Sequence, residues 1–195
     1  MFAASASSNR AAALPLASLY RFIARITVTE LDPPALGVLR QPAIRDILTR
    51  CDPQVPQVLD APTTTAWRRD ADEAFTAAFL LPTGAPPRAA AWRADGSDPS
   101  LDHLTSGVAH QMRRLGLERR IDGHAGRLPL DHLALMLEVA AVQLEREPAE
   151  ASAWLGTYVH GWAARWGRAL AERSTYPIYR AFGVLCASLF ERPAA

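Results

Sequence analysis

Between Leu128 and Glu145 the chain reads Leu-Pro-Leu-Asp-His-Leu-Ala-Leu-Met-Leu-Glu-Val-Ala-Ala-Val-Gln-Leu-Glu. Leu133, Met136, Leu137, Ala140 and Leu144 recur at three and four residues, the spacing of one helical face. Leu135, Val139 and Val142 widen that face until it covers most of the circumference. A helix this apolar must be enclosed by other elements, which fixes the kind of fold that can hold it. Pro129 lacks an N–H and suits a first turn, so the pattern predicts a helix opening there. Asp131 then lies near the N-terminus, where a carboxylate meets orphan amides and the positive dipole end. Asp131, Glu138 and Glu145 recur every seven residues and are predicted to form one acidic line on this apolar rod.

The surrounding elements read as helices too. Leu16, Leu19, Tyr20, Ile23, Thr27 and Leu31 predict a first helix stopped by Asp32-Pro33-Pro34. Short helices are predicted over 35–40 and 43–50, then a Pro-rich connection over 52–65. Trp67, Ala71, Phe75, Ala78 and Phe79 predict a helix over 66–81, capped by one of Thr63 to Thr65. Residues 82–99 read as a long loop carrying Trp92, and loops of that length are more often functional than idle. Asp98-Pro99 reads as the cap of a helix ending at Gly116. Residues 118–127 read as a polar loop. Pro148 opens a helix with Leu155, Tyr158, Val159, Trp162 and Trp166 inward, and Ser174-Thr175 caps the last. No hairpin signal and no period-two run occurs. The expected fold is all-α, a single-domain bundle of six or more helices over residues 11–195, after an Ala/Ser-rich disordered tail at 1–10.

Composition narrows the function classes. The 195 residues carry a net charge of +1, so no global basic field argues for nucleic acid. Cys51 and Cys186 have no metal-ligand spacing and read as free thiols in a reducing compartment. The first 25 residues read as tail and helix rather than an export signal, and no apolar run reaches membrane-span length, so the expected location is the cytoplasm. Phosphate loops, HExxH, paired cysteines and nucleophile elbows are absent. His103 and His110 could share a helix face, but no third ligand accompanies them; no metal site is expected. Asp131-His132 is compatible with a cap plus a packed imidazole, and with a functional pair.

The segment Leu128-Pro129-Leu130-Asp131-His132-Leu133 resembles the Glu-Pro-x-Asp-His motif of the TorD/DmsD/NarJ family, with Leu128 in place of the Glu. Phe75 to Leu81, Pro82-Thr83-Gly84-Ala85-Pro86-Pro87 and Trp92 resemble that family's aromatic pattern, Gly/Pro-rich loop and further aromatic. Leu19–Ala24 and Tyr179–Phe182 are similar to its first and last helices. The resemblance implies a non-enzymatic, all-helical cytoplasmic chaperone that matures molybdenum redox enzymes. Such a protein binds the N-terminal twin-arginine signal peptide of one apoenzyme and holds it until cofactor insertion. It needs no cofactor, nucleic acid or stable membrane insertion, and it would act as a monomer or a domain-swapped dimer. Carried over by position, the peptide site would comprise Asp131 and His132, with Phe75, Phe79, Pro86, Pro87 and Trp92 in a groove wall.

A physical mechanism accompanies the resemblance. Carboxylates at Asp131 and Glu138 would meet the leader's guanidinium groups in charge-assisted bonds, while the aromatic helix and loop cover its apolar segment. Two other readings differ in class. One is a helical regulator or adaptor that binds nucleic acid or protein through Arg113-Arg114 and Arg119-Arg120. The other is a small enzyme using Asp131-His132 as an acid–base pair, unaccompanied by a nucleophile or metal set.

Overall fold

A computed structural model describes residues 3–94, 96, 98–118 and 128–191, with side chains from residue 15 onward. The fold is all-α: the described residues form eleven α-helices and one π turn, with no strand. None of these helices is long and apolar enough to cross a membrane. The chain divides into two compact units, each drawn from two separate stretches. Unit 1 is Met1–Val28 with Arg88–Trp162, and unit 2 is Thr29–Pro87 with Ala163–Ala195.

In unit 1, helix α1 (Ala3–Ile26) packs along α8 (Leu133–Arg146). It begins within the residues expected as a tail, because Ala has the highest helix propensity. It ends at Ile26, short of the predicted Leu31, where the Thr27 hydroxyl bonds Ala24 O. Ala17, Tyr20, Ile23 and Ala24 of α1 are buried, and on α8 Leu133, Met136, Leu137 and Ala140 are fully enclosed. Each large aliphatic side chain buried there contributes about 1.5–3 kcal/mol. Helices α7 (Leu101–Arg114) and α9 (Pro148–Tyr158) complete the packing, and α6 (Ala89–Trp92) lies within the stretch expected as loop. The cap of α7 is Ser100 rather than Asp98, whose carboxylate instead accepts from Ala94 N. Gly116 follows α7 with φ +65°, as its C-terminal position predicts.

Unit 2 contains α2 (Pro33–Leu39), α3 (Pro42–Cys51), α4 (Val55–Leu59), α5 (Thr65–Phe75) and α11 (Pro177–Leu189). Asp32-Pro33 starts α2: Asp32 accepts from Ala35 N and Pro33 occupies the first turn. Thr64 caps α5, which continues as a π turn over Thr76–Leu80. The extra residue of that turn buries Ala78 and Phe79 and leaves Leu80 64% exposed. The predicted single helix through Val159 and Trp166 is two: Gly161, at φ +84°, separates α9 from α10 (Trp162–Arg173). The chain passes from unit 1 to unit 2 at the start of α10.

Helices α10 and α11 approach backbone to backbone. A Cβ on Gly183 would lie 2.5 Å from Ala171 N and 2.7 Å from Gly167 O, and one on Gly167 would lie 2.5 Å from Ala187 N. Around this crossing Trp166, Tyr179 and Phe182 are enclosed, with Phe79 against both Trp166 and Tyr179. Arg180 binds Asp52 across unit 2, with Nε 2.7 Å from Oδ2.

Candidate functional site

The predicted site residues fall in both units. Asp131, His132, Glu138 and Trp92 belong to unit 1; Phe75, Phe79, Pro86 and Pro87 belong to unit 2.

Asp131 is not the open carboxylate of the sequence reading. It is 2% exposed and lies before α8 rather than on it. Its Oδ1 accepts from Arg88 Nη2 at 3.0 Å and Nε at 3.3 Å, and its Oδ2 accepts from Ala90 N at 3.2 Å. Ala89 N donates to Asp131 O at 2.9 Å, beside an antiparallel bridge between Arg88 and His132. The carboxylate therefore latches the segment that opens α6 onto the turn that opens α8. Pro129 sits in that turn, since its O accepts from His132 N, and the helix begins only at Leu133.

His132 is the N-cap of α8. Its Nδ1 accepts from Ala134 N at 3.2 Å, a bond only the unprotonated nitrogen can make. Burial pushes its pKa down to about 4, and the neighbouring Arg88 adds to the fall while Asp131 opposes it. The ring is neutral near pH 7, and Asp131 is engaged by Arg88 and Ala90. An acid–base pair of the two does not match this arrangement.

Glu138 stands apart from them, on the exposed edge of α8. The predicted acidic line thus shortens to Glu138 and Glu145, which both face Arg21 of α1. Arg21 forms a two-pronged pair with Glu145, at 2.5 and 2.8 Å, and comes only within 3.8 Å of Glu138. Glu145 is held below the usual carboxylate range by this bond to Arg21. Glu138 shifts upward, mainly by partial burial; Arg21 opposes that shift and Glu145 reinforces it. Its side chain remains 52% exposed.

Beside Glu138 lies a half-open hollow of about 230 Å³, lined by Ala24, Arg25, Val28, Leu128, Ala134, Leu135 and Glu138. Its walls are mostly aliphatic, with a carboxylate and a guanidinium among them. Leu128, which replaces the Glu of the family pattern, is one of those walls. Sequence reasoning missed Arg21, Arg88 and this hollow. The Arg21–Glu145 pair spans 124 residues, and no local spacing reveals such a partner.

The predicted aromatic wall is core. Phe75 and Phe79 are 4% and 2% exposed and pack edge to face at 5.2 Å. Each large ring is consumed in enclosing unit 2, so neither presents a face to a visitor. Pro87 is buried, while Pro86 and Trp92 are half-buried. Of the basic cluster, Arg119 and Arg120 lie outside the described residues. Arg114 is engaged by Glu147 at 2.5 Å and Glu150 at 3.1 Å. Among the described residues no three His, Cys, Asp or Glu side chains group to hold a metal.

No protein-family model matches the chain, and no curated protein matches it.

Proposed function

We propose that this chain is a non-enzymatic chaperone of the TorD/DmsD/NarJ kind, which binds the N-terminal twin-arginine segment of a molybdoenzyme precursor before cofactor insertion and export. The observation that carries this reading is the aliphatic hollow with Glu138 among its walls. A leader presents a guanidinium and then apolar side chains. Glu138 offers an incompletely paired carboxylate for the first, and Leu128, Ala134, Leu135 and Val28 offer apolar surface for the second. The cation would gain a charge-assisted bond at a partly desolvated acid, and a side chain in the hollow would leave water. Asp131 and His132 serve this site indirectly, because they set where α8 begins.

The test is calorimetric titration of the full chain with a synthetic leader containing two arginines followed by its apolar segment. Saturable micromolar binding is expected, with a loss of about tenfold or more when both arginines become glutamine. Absence of saturable heat with the arginine leader overturns the proposal.

A further inference from the structure

The outward face of α5 carries a charge pattern complementary to itself. Trp67, Ala71 and Phe75 turn inward and are buried, so the opposite side of the helix faces water. Thr65, Arg68, Arg69, Asp72, Glu73 and Thr76 are all exposed there and, with Leu81 beyond the π turn, line one shallow, open depression of about 490 Å³. At about 100° per residue, Thr65 and Thr76 fall on the midline of this face. Arg68 and Asp72 lie along one flank, and Arg69 and Glu73 along the other. Each flank therefore has its cation toward the N-terminus and its anion one turn further on. Pairing within the chain leaves these groups available. Arg69 comes only within 3.6 Å of Asp70 and 3.8 Å of Glu73, and the Arg69 and Glu73 side chains are 69% and 72% exposed. Among the described residues, neither Arg68 nor Asp72 forms an ion pair. A cation one turn before an acid is the weaker order for a pair on one helix, because the helix dipole opposes it.

The same face ends in apolar surface. Leu80 and Leu81 are 64% and 45% exposed, adjacent to one another, and two of the four large hydrophobic side chains so exposed among the described residues. A two-fold axis that lays α5 antiparallel on α5 of a second copy keeps each flank on its own side. Arg68 then meets the partner's Asp72, Arg69 meets the partner's Glu73, and the symmetry makes each pair twice. Parallel packing would set arginine against arginine and acid against acid, so the pattern selects the antiparallel arrangement. The midline threonines are short enough to let the helices approach. Leu81 would reach the partner's segment 60–63, where Pro62 and Thr63 are exposed. We propose that this face is a homodimer contact, in which two copies pair through antiparallel α5 helices without exchanging any helix. The proposal does not depend on the leader reading. A contact made by one helix from each copy falls below the roughly 1,200 Å² of stable complexes, so the dimer is weak and reversible.

Sedimentation equilibrium of the full chain is the test. In about 20 mM NaCl a reversible monomer–dimer equilibrium is expected with a Kd of about 100 µM, weakened at least about threefold in about 500 mM NaCl. The double variants Arg68→Glu/Arg69→Glu and Asp72→Arg/Glu73→Arg alter exposed side chains only; each should keep the parent's circular dichroism and sediment as a monomer. Mixed in equal amounts, the two should form a heterodimer at least as tight as the parent, since an all-acidic face then meets an all-basic one. The fourfold inversion Arg68→Asp, Arg69→Glu, Asp72→Arg, Glu73→Arg preserves every antiparallel pair and should dimerise like the parent. The proposal is overturned by a parent chain that stays monomeric at about 500 µM in low salt, by a dimer that either double variant leaves intact, or by a lack of association between the two mixed variants.

Discussion

Replacing Asp131 with Ala separates a latch from a ligand contact. The substitution removes the acceptor of two Arg88 bonds and of the Ala90 amide. Breaking a buried pair costs about 3–5 kcal/mol when the remaining charge stays buried. Here the remaining charge is Arg88, whose side chain is 49% exposed and can rehydrate, so that figure is an upper limit. The lost pair then contributes about 1–2 kcal/mol, and the Ala90 amide, left without its acceptor, about another 1–2 kcal/mol. The sum is about 2–4 kcal/mol, measured by urea unfolding followed by circular dichroism. An Arg88→Ala, Asp131→Ala cycle should return a coupling of about 1–2 kcal/mol. Leader affinity, measured where the variant is still folded, should stay within about twofold of the parent. A stability loss below about 0.5 kcal/mol together with tenfold weaker leader binding would refute the latch and restore Asp131 as a ligand contact.

The His132 cap makes an acid-side prediction. Its folded pKa lies below its free value, so protons favour the unfolded chain, and its contribution is complete above pH 6.5 and lost as pH falls toward about 4. That loss amounts to about 3 kcal/mol, and His132→Asn, a cap that does not titrate, should flatten the slope in this window; an unchanged slope contradicts the assignment. Gly183→Val drives a side chain into Ala171 N and Gly167 O, which cannot yield as a flexible side chain would. It should cost about 3 kcal/mol or more in chemical unfolding, whereas a loss under 1 kcal/mol would mean that the helices separate readily. Glu145→Gln frees Arg21 to close on Glu138; leader affinity should fall severalfold, and unaltered affinity would show that Arg21 does not compete for that carboxylate.

Much of the architecture was legible because helical periodicity is a local property. The buried face of α8, the Thr64 cap and the Gly116 terminus all follow from residues within a few positions of one another. The start of α8 was misplaced for a related reason. Pro129 is a good first-turn residue, but Asp131 is drawn to Arg88, 43 residues away, and the helix waits until His132 can cap it. Asp32-Pro33 predicts a stop by the same chemistry that makes it the start of α2, since such residues serve both ends of a connection. Gly161 carried a signal for the break between α9 and α10 that the strong Trp162 and Trp166 spacing obscured. The candidate site was less legible. Phe75 and Phe79 have the same spacing whether they face a core or a groove, and only packing against Trp166 and Tyr179 decides between them. The hollow beside Glu138 joins the end of α1 to the start of α8, and no window of sequence contains both.

Leader binding depends on which acid of α8 and its opening turn faces the peptide, and the proposed function assigns that role to Glu138. The direct measurement is parallel calorimetric titration of Glu138→Gln and Asp131→Asn with the same twin-arginine peptide, at a temperature where both variants are folded. Glu138→Gln should weaken binding by about 1–3 kcal/mol, the size of a lost charge-assisted bond, while Asp131→Asn leaves it unchanged. The reverse ranking, or equal affinity in both variants, contradicts the account.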